Sequence, residues 1–336
     1  MDEKLLTISI AAYNVSDYLK ETIESLLLEE ALFDLLDIII VNDGSKDDTL
    51  SIAEDFANKY PKSIRVINKE NGGYGSTINA SLPEAKGKYY KLLDGDDWFD
   101  KDGLKGLLSY LANTESDIVV TPFYRVKKQR YYVDHHGEIP TQETPMRTLK
   151  LGEDKLFYMH GIAVKTQKIQ SYGKKIAEHC FYTDIEFLFY SFAASETISR
   201  YNQPVYCYRL DVDGQSASLK GLRKHYKDGA RVAKRISYCY RKTRNSFYGT
   251  KQDIMQAAVT FSIYGMYNGY MLAGRHTRRA LIKKDKEIQK ICSKAFALGN
   301  QSKVVKWARR LSYHPYFIFR QYMFLKYKKT YERNEQ

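Results

Sequence analysis

The stretch DIIIVNDGS, residues 37–45, runs from a continuous apolar segment, Asp37-Ile38-Ile39-Ile40-Val41, straight into the polar turn Asn42-Asp43-Gly44-Ser45. A strand with one wet face alternates apolar and polar residues. An unbroken β-branched run is the pattern of a strand covered on both faces, as in parallel sheets. Its neighbours fit that reading. Upstream, Leu6-Thr7-Ile8-Ser9-Ile10 reads as a strand, and Ser16–Leu28 carries Leu19, Ile23, Leu26 and Leu27 at helical spacing, with Ser16 as the expected N-cap. Downstream, Asp48–Tyr60 reads as a helix stopped by Pro61, Ile64–Ile67 as a strand, Ser76–Ala85 as a short helix and Tyr89–Leu93 as a strand. Lys101–Leu111 then reads as a helix and Ile118–Val120 as a strand. Strand and helix alternate, so the expected fold class is α/β, with a mostly parallel central sheet and helices on both faces.

Polar, glycine-containing turns follow the strands at their C-terminal ends: Asn42-Asp43-Gly44-Ser45, Asn71-Gly72-Gly73 and Asp94-Gly95-Asp96-Asp97. Open α/β sheets bind ligands outside those ends. The third turn is the most unusual, because three carboxylates so close together repel and raise one another's pKa unless a cation sits among them. Divalent Mg²⁺ or Mn²⁺ is the simplest cation, since hard ions take carboxylate oxygens and leave positions for a diphosphate. The competing reading is an ordinary turn in which Asp97 or Asp100 caps the helix that follows.

The 336 residues allow one large or two modest domains. The net charge of +13 is divided unevenly: residues 1–216 hold 25 Lys+Arg against 34 Asp+Glu, and residues 217–336 hold 28 against 6. An acidic body thus precedes a strongly basic region, which calls for an anionic partner. Cys180, Cys207, Cys239 and Cys292 have neither metal-knuckle nor redox spacing, so reduced buried thiols in a cytoplasmic protein are expected. The opening Met1-Asp2-Glu3-Lys4 is unlike a secretory leader. Between 124 and 216 the signals are mixed: 125–136 and 205–208 look like strands and 184–194 like a helix.

Six segments in order resemble the family 2 glycosyltransferases, over about residues 5–218: TISIAAYNVSDYLKETIESL (7–26), IIIVNDGSKDDT (38–49), NKENGGYGSTIN (68–79), GKYYKLLDGDDWFD (87–100), EHCFYTDIEFLF (178–189) and YRLDVDGQSAS (208–218). The resemblance implies a fold of the nucleotide-diphospho-sugar transferase type and inverting, metal-dependent sugar transfer. The donor would be a nucleotide-sugar, a UDP-sugar by family analogy, and the acceptor a surface glycan or lipid-linked chain. It implies that Ala11, Tyr13, Asn14 and Asp43 form the base pocket, with Asp43 accepting from the pyrimidine. Asn71, Gly72 and Gly73 would admit the ligand to the backbone, and Asp94 and Gly95 would face the ribose. Asp96 and Asp97 would take the metal, and which of them is the direct ligand stays open. Asp184 would be the general base, an alternative role for it being a helix N-cap. Arg209, Gln215 and Ser216 would meet the diphosphate or close over the donor, and Trp98, Glu178, His179 and His160 would lie on the acceptor side. Three departures stand out. Ala11 occupies a place where proline is frequent, Thr77-Ile78-Asn79 replaces an Ala-Arg-Asn, and Thr183 replaces a glutamate.

These readings divide the chain into a nucleotide-sugar half (1–123), an acceptor-side half of the same catalytic domain (124–216) and a basic, aromatic helical accessory region (217–336). Residues 254–274 lack charge but carry glycines, tyrosines and amides, so a buried helix or helix pair is expected rather than a span, with Gly265 and Gly269 at a close helix contact. Residues 304–329 interleave aromatic with cationic side chains, a composition suited to an anionic membrane surface as well as to a solvated accessory face. Two other classes compete with the enzyme: a nucleic-acid or polyanion binder, favoured by the basic region alone, and an inactive sugar-nucleotide binder, disfavoured by the presence of Asp94, Asp96 and Asp184. A transferase acting on polyprenyl phosphate is the nearest variant of the leading reading.

Overall fold

A computed structural model describes residues 4–134, 139–152, 156–210 and 218–333, with side chains as far as 328. The chain divides into two compact units. The first comprises Met1–His179, Tyr190–Asp211 and Gly249–Lys251; the second comprises Cys180–Phe189, Val212–Tyr248 and Gln252–Gln336.

In the first unit the elements run β1 (Leu6–Ala12), α1 (Ser16–Glu24), β2 (Leu36–Asn42), α2 (Thr49–Lys59), β3 (Ile64–Asn68), α3 (Tyr74–Ser81) and β4 (Tyr89–Asp94). They continue with β5 (Trp98–Phe99), α4 (Lys101–Ala112), β6 (Ile118–Val120), β7 (Phe123–Lys127), β8 (Arg130–Asp134), β9 (Thr144–Pro145), β10 (Ile162–Lys165) and α5 (Thr166–Tyr172). Helix α6 (Asp184–Ala194) is followed by β11 (Thr197–Arg200) and β12 (Tyr206–Arg209). The main sheet has the order β3-β2-β1-β4-β10-β6-β11-β9. Its first four strands are parallel, and β10 enters antiparallel between β4 and β6. A second sheet has the order β5-β12-β7-β8.

The apolar runs behave as their pattern requires. Ile38 and Ile40 are fully buried in the core with Ile8, Ile10, Leu19 and Ile23 of β1 and α1 and Leu104 and Leu107 of α4. Each contributes roughly 1.5–3 kcal/mol. The opposite face of β1 is covered too, since the Ser9 hydroxyl donates to Ser81 Oγ of α3 at 2.7 Å. Within the strand-like run at 125–136, residues 125–134 instead form a hairpin: Lys128 and Gln129 turn it with positive φ values of 46° and 64°, and 135 and 136 lie outside the described residues. Ser16 is not the cap of α1. Its amide donates to Asp47 in the neighbouring loop at 3.1 Å. Burial works against that charge, but hydrogen bonds from Thr49 and Ser16 bring the Asp47 carboxyl down to about 2. Asp100 does cap α4, accepting from Gly103 N–H at 2.7 Å.

In the second unit, besides the start of α6, lie α7 (Leu219–Lys224), α8 (Tyr226–Thr243), α9 (Gly249–Ala273, entered after its first turn), α10 (Arg278–Ile291), α11 (Ser293–Leu298), α12 (Lys303–Arg310) and α13 (Tyr316–Arg333). The charge-free stretch 254–274 lies almost wholly in the single helix α9, with Met255, Val259, Ile263, Met266 and Tyr267 buried. A Cβ on Gly269 would come within 3.2 Å of the Tyr226 backbone, so this glycine lets α8 and α9 approach, whereas a Cβ on Gly265, four residues earlier, would meet nothing within 4 Å. No helix among the described residues is long and apolar enough to cross a membrane. Buried charge is paired: Arg309 meets Asp285 at 2.6 Å and 2.9 Å, and Tyr313 donates to the same carboxylate at 2.5 Å. Arg309→Ala leaves that carboxylate buried beside one hydroxyl, and denaturant titration should show a loss of about 3–5 kcal/mol.

Candidate active site

Strands β1, β2 and β4 end together, with Ala11 opposite Asp94 and Ala12 opposite Asn42 in parallel register. This edge carries all three polar turns. Asp43 is buried there and collects four donors. Gly72 N–H (2.9 Å), Lys69 Nζ (2.7 Å) and Ser76 Oγ (3.1 Å) reach Oδ1, and Gly73 N–H reaches Oδ2 (2.8 Å). Charge-assisted bonds of this kind are strong, so Asp43 fastens the Asn71-Gly72-Gly73 turn to the end of β2. Asn71 completes the tie by donating to the Asp43 carbonyl at 2.9 Å. Beside it, Asn14 adopts φ 52° and joins the 43–48 loop through Ser45 and the Lys46 amide. Tyr13 stands 50% exposed on this edge, free of the core.

The segment 176–179 docks on the same turn. Asn79 donates to Ile176 O and Glu178 at 2.9 Å each, and the His179 amide donates to Gly72 O. A Cβ on Gly75 would lie 2.1 Å from the Ala177 carbonyl oxygen, so only glycine permits this approach. Gly75→Ala should cost about 1–3 kcal/mol in thermal unfolding and expose 176–179 to limited proteolysis. Ile78, at the place of the missing arginine, is core and offers no phosphate contact.

The acidic turn is tightly folded. Gly95 N–H donates to Ala11 O at 3.0 Å, where a side chain would collide, and Asp97 N–H donates back to Asp94 O at 3.1 Å. This turn puts Asp94 and Asp97 on one side. Their carboxylates and the His160 ring come within 4.8 Å of one another. Asp97 is 1% exposed; its Oδ2 accepts from Tyr206 Oη at 2.6 Å and its Oδ1 from Arg209 N–H at 2.7 Å. Burial first, then the charges of Asp94 and Asp96, push its carboxyl well above the usual range. The cluster differs from the expected pair. Asp96 lies outside it, and its carbonyl accepts from Arg209 Nε at 2.8 Å. His160, assigned to the acceptor side, is the third member of the cluster.

His160 sits in the turn before β10, stacked on Tyr208 at 4.5 Å and edge-on to Tyr206 at 4.8 Å. Its carbonyl accepts from Lys91 Nζ at 2.7 Å, and Ile162 O accepts from the same group at 3.2 Å. Lys91 is fully buried, and burial brings its ammonium down to about 7. A lysine inside the apolar run Tyr89–Leu93 was the signal that a polar partner had to be present. Tyr206 gave no comparable signal: its hydroxyl also accepts from the Asp94 amide at 3.1 Å, tying the Asp94 backbone and the Asp97 carboxylate to β12.

Arg209 lies against the acidic turn, over Trp98 at 4.4 Å, with Nη2 donating to Glu21 at 2.7 Å. Trp98 thus lies under a guanidinium, and Glu178 is exposed and held by Asn79. Gln215 and Ser216 lie outside the described residues. In the second unit, Thr183 caps α6 through its carbonyl, which accepts from Glu186 and Phe187, leaving Asp184 as the first helical residue. Burial raises the Asp184 carboxyl to about 6 against the opposing hydrogen bonds of the helix start.

The model of glycosyl transferase family 2 matches residues 7–174, and the chain belongs to that family. Among curated relatives, the uncharacterised glycosyltransferase MG025 of Mycoplasma genitalium is 33% identical over 175 residues, 48% of this chain and 57% of its own. The minor teichoic acid biosynthesis protein GgaB of Bacillus subtilis is 37% identical over 114 residues, 33% of this chain and 13% of its own. The chain spans about half the length, or less, of the curated relatives it matches. The fold is that of S. aureus TarS 1–349, solved with UDP-GlcNAc, at TM-score 0.69 and 18% identity over 95% of this chain and 90% of that one. The mannosyltransferase PcManGT of Pyrobaculum calidifontis, solved with GDP-Man and Mn²⁺, has TM-score 0.51 and 13% identity over 95% and 84%.

Proposed function

We propose that the protein is an inverting, metal-dependent glycosyltransferase that moves a sugar from a UDP-sugar to a hydroxyl of a cell-surface glycan or its lipid-linked precursor, working in the cytoplasm. The observation that carries this reading is the convergence of Asp94, Asp97 and His160 at the strand ends beside the turn that Asp43 fastens. Two carboxylates and an imidazole suit Mn²⁺ better than Mg²⁺, which prefers oxygen alone. Bound there, the ion would neutralise charge on the leaving diphosphate.

The chain's own residues do the rest. Tyr13, exposed beside Asn14 and Asp43, supplies a face for the base to stack on. Asp43 keeps one further lone pair on Oδ2 for a ring N–H. The 176–179 segment, pinned to the Asn71–Gly73 turn, brings Glu178 and His179 to the acceptor side. Asp184 takes the proton from the attacking hydroxyl. GgaB supports a teichoic-acid-type acceptor, and the UDP-GlcNAc of TarS and the Mn²⁺ of PcManGT support the donor class and metal.

The test is nucleotide release from UDP-, GDP-, CMP- and dTDP-sugars with Mn²⁺ and with EDTA. Slow Mn²⁺-dependent release from one UDP-sugar is expected. Absence of both release and UDP binding would reject the donor site.

A further inference from the structure

Helix α13 has more apolar surface than its core needs. Tyr316 and Met323, seven residues apart, face inward, yet Phe317, Ile318, Phe324 and Leu325 beside them are exposed, Ile318 by 60% and Leu325 by 61%. The guanidinium of Arg275 lies 4.5 Å over Phe317. Next to this strip is a cavity of about 210 Å³ walled by Met271, Leu272 and Phe324 and rimmed by Arg223, Arg320 and Gln321. Both arginines are anchored through Nε to the last carbonyls of α9: Arg223 to Leu272 O at 3.2 Å and Arg320 to Met271 O at 3.0 Å. Both of these bonds use Nε, and among the described residues neither guanidinium is ion-paired. Residues 288–331 contain ten Lys or Arg and no Asp or Glu.

We propose that this face of the second unit docks on an anionic phospholipid bilayer, with a lipid phosphate in the Arg223–Arg320 cavity and Phe317, Ile318 and Leu325 in the headgroup–acyl boundary. The observations select this occupant. A fork of two guanidiniums recognises a phosphate, an apolar wall beside it accepts the lipid's glycerol and upper chain, and an exposed aliphatic strip gains nothing from a polyanion in water. The surrounding basic residues add long-range attraction to anionic headgroups. The inference deepens the proposed function by naming the partner of the second unit. Nucleotide release in solution is independent of it, so each reading can fail alone.

The test is sedimentation of the full chain with vesicles of phosphatidylcholine alone and of phosphatidylcholine mixed with phosphatidylglycerol. Binding to the mixed vesicles only is expected. Arg223→Gln and Arg320→Gln should each weaken it about fivefold. Ile318→Ser with Leu325→Ser, at exposed positions that leave the fold intact by circular dichroism, should weaken it about tenfold. Because the arginines also hold helix carbonyls, the serine pair decides if an arginine variant unfolds. Equal binding to neutral vesicles, no loss in the serine pair, or tighter binding to single-stranded RNA than to the mixed vesicles would each overturn the proposal.

Discussion

Asp97→Asn is expected to abolish Mn²⁺-dependent nucleotide release, by at least about 10²-fold, while leaving the protein folded. The amide keeps the shape of the carboxylate: its oxygen can still accept from the Arg209 amide while its NH2 donates to the Tyr206 hydroxyl, which can turn its own hydrogen away, so the turn is preserved. What disappears is the charge. In the absence of metal that charge is a liability, because burial and the neighbouring Asp94 and Asp96 raise the Asp97 pKa in the folded state. A carboxyl whose folded pKa is raised binds more protons folded than unfolded, so its contribution to stability falls as pH rises. The variant should therefore melt higher than the parent without metal at neutral pH, and it should no longer gain stability from Mn²⁺. Loss of release with an unchanged Mn²⁺-dependent melting shift would place the ion elsewhere.

Asp184→Asn should cost about 10²–10⁴-fold in kcat while leaving UDP binding unchanged. The parent carboxyl, raised by burial to about 6, must lose its proton to act as a base, so transfer should rise with pH through about 6 and then level off. That limb should vanish in the variant's residual activity. The same shift has a stability sign. Between the ordinary 3.8 and about 6 the folded state holds a proton that the unfolded state has released, so stability is lost as pH climbs through that window. Since Asn carries no charge to desolvate, the variant should gain about 1–3 kcal/mol at pH 8, the lower figure reflecting partial solvent access. A loss of activity and stability together would mark Asp184 as a structural residue.

The parallel half of the sheet was legible because its strands are buried on both faces and announce themselves as apolar runs. The helices between them follow from the 3.6-residue period, and the acidic turn from charges crowded without a partner. What was not legible is what tertiary packing alone supplies. Two-residue strands such as Trp98–Phe99 and Thr144–Pro145 have no period to read. The antiparallel insertion of β10 between β4 and β6 brings His160 to the aspartates from more than sixty residues away in sequence, and a lone histidine carries no motif. Nor does any local rule foretell that Asp94 and Asp97, without Asp96, gather with His160.

The Tyr206 hydroxyl has a bearing on evolution and engineering. It clasps the Asp94 amide and the Asp97 carboxylate from a strand of the second sheet, and the next contact to Asp97 comes from Arg209. Both residues lie past 174, where the family match ends. The recurring segment is thus not a detachable donor-binding cassette. Moved into another protein without residues 206–209, it would carry its acidic turn but not the clasp that shapes it. Changes in this chain beyond residue 174 therefore act directly on the geometry of the acidic centre.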